Sequence, residues 1–303
     1  MRRFVAPAAT TLGEVLASLG CALSAVAEGR VFVGRIRARS AQVEIAAGVE
    51  ISIAAPRPVP DNICILHKGD GLVVVDKPAG TPTIPDGQGS AHTLLALTAG
   101  ALGLPAERLH PTSRLDRGVS GLVIFALDKE ARDRLALARS MGLYRRRYVA
   151  LSASAPEPER GGSKAPLGPA HDPRLRRVDP RGKPAESRWV TVERVAAAAL
   201  LALSPVTGRT HQLRVHSAHA GAPLLGDRSY GGPSRLVLED GRVLGLPRIY
   251  LHCARISVPS ARGGALDLAA PVPLALVDVW FALGGGAAAW EIGTAWDTVP
   301  DDP

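Results

Sequence analysis

A single carboxylate stands between two arginines in Arg114-Leu115-Asp116-Arg117-Gly118, directly before a hydrophobic stretch. A carboxylate presented at the lip of a sheet can act as nucleophile or as base. Glycine at 118 is expected to allow an unusual backbone angle beside it. The plainer reading is an Asp that caps a turn and pairs with a neighbouring Arg, since Asp and Gly are common turn residues. A second cluster is TGRTHQLRVH, Thr207 to His216. Read as a strand, it puts Gln212 and Arg214 on one face and Leu213 and Val215 on the other. A buried arginine there needs an anionic partner, and Asp116 is the candidate. The third cluster is YRRRYVAL, Tyr144 to Leu151. Aromatic residues are only 4% of the chain, so a tyrosine beside Arg145, Arg146 and Arg147 stands out. It reads either as a base-stacking ring next to phosphate-binding arginines or as a core tyrosine after a solvated basic turn.

Other chemistries lack their signatures. The chain has no H-E-x-x-H, no G-x-S-x-G and no G-x-x-x-x-G-K-[ST]. Gly69-Asp70-Gly71 has neither the third glycine nor the helix of a dinucleotide loop, and reads as a turn. On a predicted strand His211 and His216 point to opposite faces, which argues against a shared metal. Cys21, Cys64 and Cys253 are scattered and odd in number, so neither a zinc site nor a disulfide framework is expected. Reduced thiols in a cytoplasmic protein are the simplest account.

The elements that must position these residues can be sketched along the chain. Of 303 residues, 46% are hydrophobic, enough for a sizeable core. The 36 basic and 28 acidic residues give +8, a balance suited to a polyanionic partner such as nucleic acid. Glu14, Pro7 and Thr10 interrupt the would-be apolar region after Met1-Arg2-Arg3, so an export signal is not expected. No apolar run approaches the ~20 residues needed to span a bilayer. Residues 11–55 read as a small α/β module, with Leu12, Val15, Leu16 and Leu19 at helical spacing. Proline-rich residues 56–61 mark a boundary. Beyond it lie many short strands and few long helices, a mixed, mainly antiparallel α+β core. Three segments follow: a module at 1–56, a catalytic domain at 57–283, and a Gly/Ala-containing tail at 284–303 that is expected to fray.

Taken together, these segments resemble the RluA-type family of pseudouridine synthases. GLVVVDKPAG (71–80), SRLDRGVSGLVIFALDKEA (113–131), RRRYVAL (145–151), GKPAESRWVTVER (182–194), PVTGRTHQLRVHSAHAGAPLLGDRSYGG (205–232) and LHCARISVP (251–259) follow the family's order. The resemblance implies a pseudouridine synthase catalytic fold. It implies Asp116 as catalytic carboxylate, Tyr148 stacked on the target uracil, and Arg214 paired with Asp116. Arg114 would occupy the space left by the flipped nucleotide or read the rearranged RNA, and Lys77 and Pro78 would be mainly structural. Ser113 stands where many members have His, and Gly118-Val119 where they often have Asp-Thr. Residues 11–55 resemble the small S4-type RNA-binding domain, with Arg30, Arg35, Arg37 and Arg39 as its basic residues. The implied activity is isomerisation of uridine to pseudouridine in large-subunit ribosomal RNA or tRNA. It needs no cofactor and no metal, and it implies a cytoplasmic monomer with RNA as its partner. Two competing readings are an RNA-binding protein without activity and a carboxylate glycosidase, for which Asp227 is the remote second carboxylate.

Overall fold

The computed structural model describes residues 2–27, 29–54, 63–85 and 92–300. The expected linker at 56–61 lies outside them. The chain forms two compact units, Met1–Ile63 with Thr81–Ala106, and Cys64–Gly80 with Glu107–Pro303.

In the first unit, strand β1 (Arg2–Val5), β2 (Val31–Val33), β3 (Ile36–Arg37) and β4 (Glu50–Ile53) form an antiparallel sheet in the order β1-β4-β2-β3. Helix α1 (Leu12–Ser18) starts at a capping box in which Thr11 accepts from the Glu14 amide and the Glu14 side chain accepts from the Thr11 amide. Its apolar face, Leu12, Val15 and Leu16, buries against Val31, Ile45 and Ile51. The helical spacing read from the sequence therefore marks the core side of α1. Helix α2 (Leu94–Leu102) belongs to the same unit, capped by Thr93 and closed by left-handed Gly103.

The second unit is built on one large sheet. Its strands are β5 (Cys64–Gly69), β6 (Leu72–Lys77), β7 (Ser120–Ala126), β8 (Arg145–Ser152), β9 (Arg160–Ser163), β10 (Ser187–Val195), β11 (Ala198–Pro205), β12 (Leu251–Pro259) and β13 (Ala265–Ala269). The order is β9-β10-β11-β8-β12-β7-β6-β5, with β13 added beside β12 and the two-residue strand His110–Pro111 beside β7. Every pairing along this path is antiparallel except β7 with β12, which run parallel. A mixed, mainly antiparallel sheet is what the sequence predicts. Asp70 and Gly71, both with positive φ, make the tight turn between β5 and β6, as two-residue hairpins require. All seven residues of β7 are buried, which fits an apolar run covered on both faces.

Helix α3 (Lys129–Ser140), capped by Asp128, turns Ala131, Leu135 and Ala138 inward. Helix α4 (Gln212–His219) carries Arg214. Here the sequence reading is corrected, because TGRTHQLRVH is not a strand. Leu213 and Val215 alternate with polar residues and mimic a period of two. In fact all of Gln212–Ser217 is buried whichever way the side chain points, so alternation carries no information about faces. His211 takes a left-handed φ of 60° and turns the chain into the helix.

The expected frayed tail is also corrected. Helices α5 (Leu274–Ala282) and α6 (Ala288–Thr294) pack Trp280 edge-on to Trp290 at 6.4 Å, in a core shared with Val149, Leu151 and Leu200. Gly293 lies close against Leu200 and Val149, so its missing side chain lets α6 sit on the sheet. Val299 is buried, and the Arg147 guanidinium donates to the carbonyls of Trp296 (2.7 Å) and Val299 (3.1 Å).

Candidate active site

Asp116 sits in the turn that feeds β7. The Val119 amide donates to its carbonyl at 3.0 Å. The turn is fixed from below. Lys77, fully buried at the end of β6, donates to the carbonyls of Pro78 (3.0 Å) and Arg117 (3.3 Å). Gly80 and Arg117 are joined by two further bonds, the Gly80 amide to the Arg117 carbonyl (2.7 Å) and Arg117 Nε to the Gly80 carbonyl (2.8 Å). Burial pulls the Lys77 ammonium down to about 7, against the opposing pull of the Asp116 charge. The role expected for Gly118 is corrected. It is not among the positive-φ residues. A Cβ there would come within 2.9 Å of the tip of the Ile249 side chain, a contact that a small shift of that side chain relieves. The positive φ belongs to Gly121 at 112°, where a Cβ would lie 2.3 Å from the Cys253 carbonyl oxygen. Glycine thus lets β7 approach β12.

Arg214 reaches Asp116 from α4. Its Nη1 donates to Asp116 Oδ2 at 3.0 Å. Its other edge grips Asp227 bidentately, Nε to Oδ2 at 2.7 Å and Nη2 to Oδ1 at 2.8 Å. Arg214 is 5% exposed and Asp227 1%. Burial alone would lower the guanidinium pKa, but the Asp227 hydrogen bonds and the Asp116 charge outweigh it, so Arg214 is held more firmly protonated than usual. A buried carboxylate thus fixes the arginine, and the arginine holds the more accessible carboxylate.

Two side chains complete this corner. His211 Nδ1 lies 2.6 Å from the Tyr230 hydroxyl, and its Nε2 lies 3.9 Å from Asp116 Oδ2. Tyr230 in turn accepts from the Arg176 amide at 3.0 Å, and the Arg214 guanidinium stacks over its ring at 4.8 Å. Burial lowers the His211 pKa, which favours a neutral imidazole. Gln212 ties the preceding loop down. Its Oε1 accepts from Thr207 Oγ1 (2.6 Å) and the Arg209 amide (2.9 Å), while its Nε2 donates to the Glu186 carbonyl (2.8 Å) and Ser187 Oγ (2.9 Å).

Tyr148 comes from β8, at a bulge in its pairing with β12 between Arg147 and Tyr148. Such bulges re-aim a side chain. The strand alternation divides the YRRRY cluster. Arg146 and Tyr148 line the cleft, while Arg145 and Arg147 turn to the other face and stack on Trp296. At 1% exposure Arg147 is too buried to meet a phosphate, so that part of the phosphate-binding reading is corrected. Tyr144 is buried at the cleft edge. Its hydroxyl lies 3.1 Å from Thr112 Oγ1 and 3.3 Å from Ser113 Oγ, and Arg139 stacks on its ring at 4.7 Å. Ser113 is therefore tied to a tyrosine that sequence reasoning placed only in a basic turn.

These residues surround a cleft of about 390 Å³. All four residues singled out from the sequence, Arg114, Asp116, Tyr148 and Arg214, line it. Among the described residues Asp116 is the one acidic side chain that does. Asp227 lies behind Arg214, so the paired carboxylates of a glycosidase, flanking a bond from two sides, are not what this cleft offers. His211, Asp227 and Tyr230 as a supporting set were missed. The available signal was an Asp and a Tyr three apart in GDRSYGG, bracketed by glycines.

Comparison with known proteins places this geometry. Residues 71–219 match the family described as RNA pseudouridylate synthase. Ribosomal large subunit pseudouridine synthase C of Vibrio cholerae is 33% identical over 210 residues, covering 69% of this chain and 65% of that protein. Ribosomal large subunit pseudouridine synthase D of Nitrosomonas europaea is 37% identical over 215 residues, 69% of this chain and 62% of that protein. The chain thus spans a little under two thirds of these two relatives. The dual-specificity RNA pseudouridine synthase RluA of Escherichia coli is 33% identical over 214 residues, and there the match covers 69% of this chain and 93% of the relative. Two solved human structures share the fold. RNA pseudouridylate synthase domain containing 4 has a TM-score of 0.59 at 25% identity, covering 73% of this chain and 93% of that one. RNA pseudouridylate synthase domain containing 1 has a TM-score of 0.61 at 21% identity, covering 82% and 100%.

Proposed function

Because the chain belongs to the RNA pseudouridylate synthase family, we propose that it isomerises uridine to pseudouridine within ribosomal RNA or tRNA, with Asp116 as its catalytic carboxylate. The observation that carries the assignment is Asp116, Tyr148 and Arg214 lining one cleft, with Arg214 bonded to Asp116 and backed by Asp227. The reaction breaks the C1′–N1 glycosidic bond, rotates the uracil and rejoins it through C5. It is redox-neutral and consumes no co-substrate.

Each residue has a task in that sequence. The target base must leave its stack, at a cost of a few kcal/mol. Stacking on Tyr148 returns roughly 1–3 kcal/mol of this. Burial pushes the Tyr148 phenol well above its ordinary value, so the ring stays neutral and serves as a surface. Arg214 Nη1 bonds Asp116 Oδ2 and holds the carboxylate at the cleft. Arg114 is exposed at the mouth, placed to meet the RNA around the vacated position. The first unit acts as an S4-like RNA-binding module, with exposed Arg35 and Arg39 facing the nucleic acid.

The test is pseudouridine mapping of total RNA from a strain lacking the gene. A site that vanishes, and returns with the wild-type protein but not with Asp116→Asn, supports the assignment and names the substrate. RNA binding persists in Asp116→Asn. A purified wild-type protein that leaves every RNA from the deletion strain unmodified refutes it, and release of free uracil points to the glycosidase instead.

A further inference from the structure

The isomerisation has a proton to move that Asp116 does not account for. When uracil rejoins the sugar through C5, that carbon carries both a hydrogen and the new C1′ bond. The electron pair of C5=C6 has made the bond, and a C6=N1 double bond remains. Aromatic uracil returns only when the C5 hydrogen leaves as a proton. Its electron pair then re-forms C5=C6, and the C6=N1 pair moves to N1, which takes up a proton. The proton lost at C5 balances the one gained at N1.

Few groups in the cleft can accept it. The arginines stay protonated at any working pH. The buried Tyr148 phenol holds its own proton. Asp116 leaves the sugar as the C5–C1′ bond forms, but its Oδ2 is then engaged by Arg214 Nη1 at 3.0 Å. His211 is left, and its placement is unusual. It lines the cleft, with Nε2 3.9 Å from Asp116 Oδ2. That separation is beyond hydrogen-bond reach, so Asp116 does not claim a proton on Nε2. Nδ1 is held 2.6 Å from Tyr230, whose oxygen already accepts from the Arg176 amide and has a second lone pair for Nδ1–H. His211 and Asp70 are the two described non-glycine residues with positive φ, and Asp70 serves a hairpin turn. At His211 the backbone is held in the strained left-handed region, and the ring lines the cleft.

We propose that His211 is a second catalytic residue, accepting the C5 proton at Nε2 and returning a proton to N1, with Tyr230 fixing the ring through Nδ1. The inference rests on the isomerase reading of the same cleft. His211 is neutral when substrate binds, since burial lowers its pKa below 6.5. The charged and titratable groups that face it are Asp116 from the turn before β7, Arg214 on its own helix, Asp227 and Tyr230 from the following turn, and Arg176 from the adjoining hairpin.

The test uses His211→Asn in the full chain. Asn tolerates the left-handed backbone and can still bond Tyr230, but it cannot take a proton. Single-turnover rates are measured on an RNA carrying the mapped uridine in three forms, with C5–H, C5–²H and C5–F. With C5–H the variant is expected to be slower by about 100-fold or more, the usual contribution of a positioned base. A primary deuterium isotope effect should appear, larger than in the wild type. With C5–F no proton needs to leave, so formation of the C5-linked fluorinated product proceeds at the wild-type rate. The wild-type rate also falls on acidification below 6.5 as the imidazole protonates, a limb absent from the variant. Tyr230→Phe, which keeps the imidazole, gives a smaller loss and retains the limb. Equal slowing on C5–H and C5–F substrates would show that His211 only positions Asp116, and overturns the proposal. So does a variant with undiminished rate. A wild type inactive on every RNA defeats the isomerase reading itself, whereas an active wild type with an indifferent His211→Asn defeats the inference alone.

Discussion

At the scale of residues, two carboxylates share one arginine and differ in what they do for it. Asp227 is buried and bonded along the Nε edge, while Asp116 takes the remaining Nη1 and is about a quarter exposed at its side chain. Removing the buried partner leaves a cation without compensation, which costs about 3–5 kcal/mol. Asp227→Asn should lower unfolding free energy in urea by about 3 kcal/mol, while Asp116→Asn shifts it by about 1 kcal/mol or less. Equal losses would mean that Arg214 does not distinguish them as the geometry indicates. Asp116 itself was legible, and so was its pairing with Arg214, because a buried guanidinium demands an anion. Asp227 was not. The Asp–Tyr spacing in GDRSYGG marks a turn but does not say which carboxylate the turn delivers behind Arg214. Only the fold, which brings residue 227 behind residue 214, makes the difference.

At the scale of elements, the strands were legible where burial alternates or runs continuously, as in β6, β7 and β12. The sequence misled where a short element is buried all round. Gln212–His219 is a helix despite its two-residue pattern, and α6 brings Trp290 into the core from a tail that looks featureless. The parallel pairing of β7 with β12 is the element-level feature that most constrains the site. Gly121 has a φ of 112° there and no room for a Cβ against the Cys253 backbone. Gly121→Ala should therefore destabilise by about 3 kcal/mol or more, combining backbone strain with a clash that no rotamer relieves. A melting temperature unchanged from wild type would contradict that packing. One residue away, Ser120 Oγ lies 2.9 Å from Nδ1 of the fully buried His252. Burial, reinforced by the nearby Arg248 charge, drops the His252 pKa to about 3. The folded chain thus keeps His252 neutral while the unfolded chain protonates it below about 6.5. This contribution to stability is complete above about 6.5 and is lost as pH falls towards 3, with a slope of about 1.4 kcal/mol per pH unit for one proton. His252→Asn should flatten urea-derived stability between pH 7 and 4 by about one proton's slope, leaving the shares of His211 and His216. Parallel curves for parent and variant would rule this out.

At the scale of the whole molecule, charge and cleft divide the work. The cleft is built entirely within Cys64–Gly80 and Glu107–Pro303, and the proposed reaction would need one flipped nucleotide there. The excess of +8 is spread far more widely, including the first unit, where Arg35 and Arg39 are exposed. Ion pairs with phosphate raise affinity without reading the base. Each such pair carries about 0.7 of the log–log salt slope on a single strand and about 0.9 on a duplex. If the first unit binds RNA as proposed, Arg35→Glu with Arg39→Glu should reduce the slope by the share of two ion pairs, or ~1.4–1.8. The penalty should be large at about 50 mM salt and shrink towards about 200 mM, because salt already weakens the ion pairs that these substitutions remove. In turnover the loss should fall in KM, since neither arginine lines the cleft. Filter binding across a salt series separates the outcomes. An unchanged slope would make the first unit structural, and would leave phosphate binding to the exposed arginines at the cleft mouth, Arg114, Arg139 and Arg209.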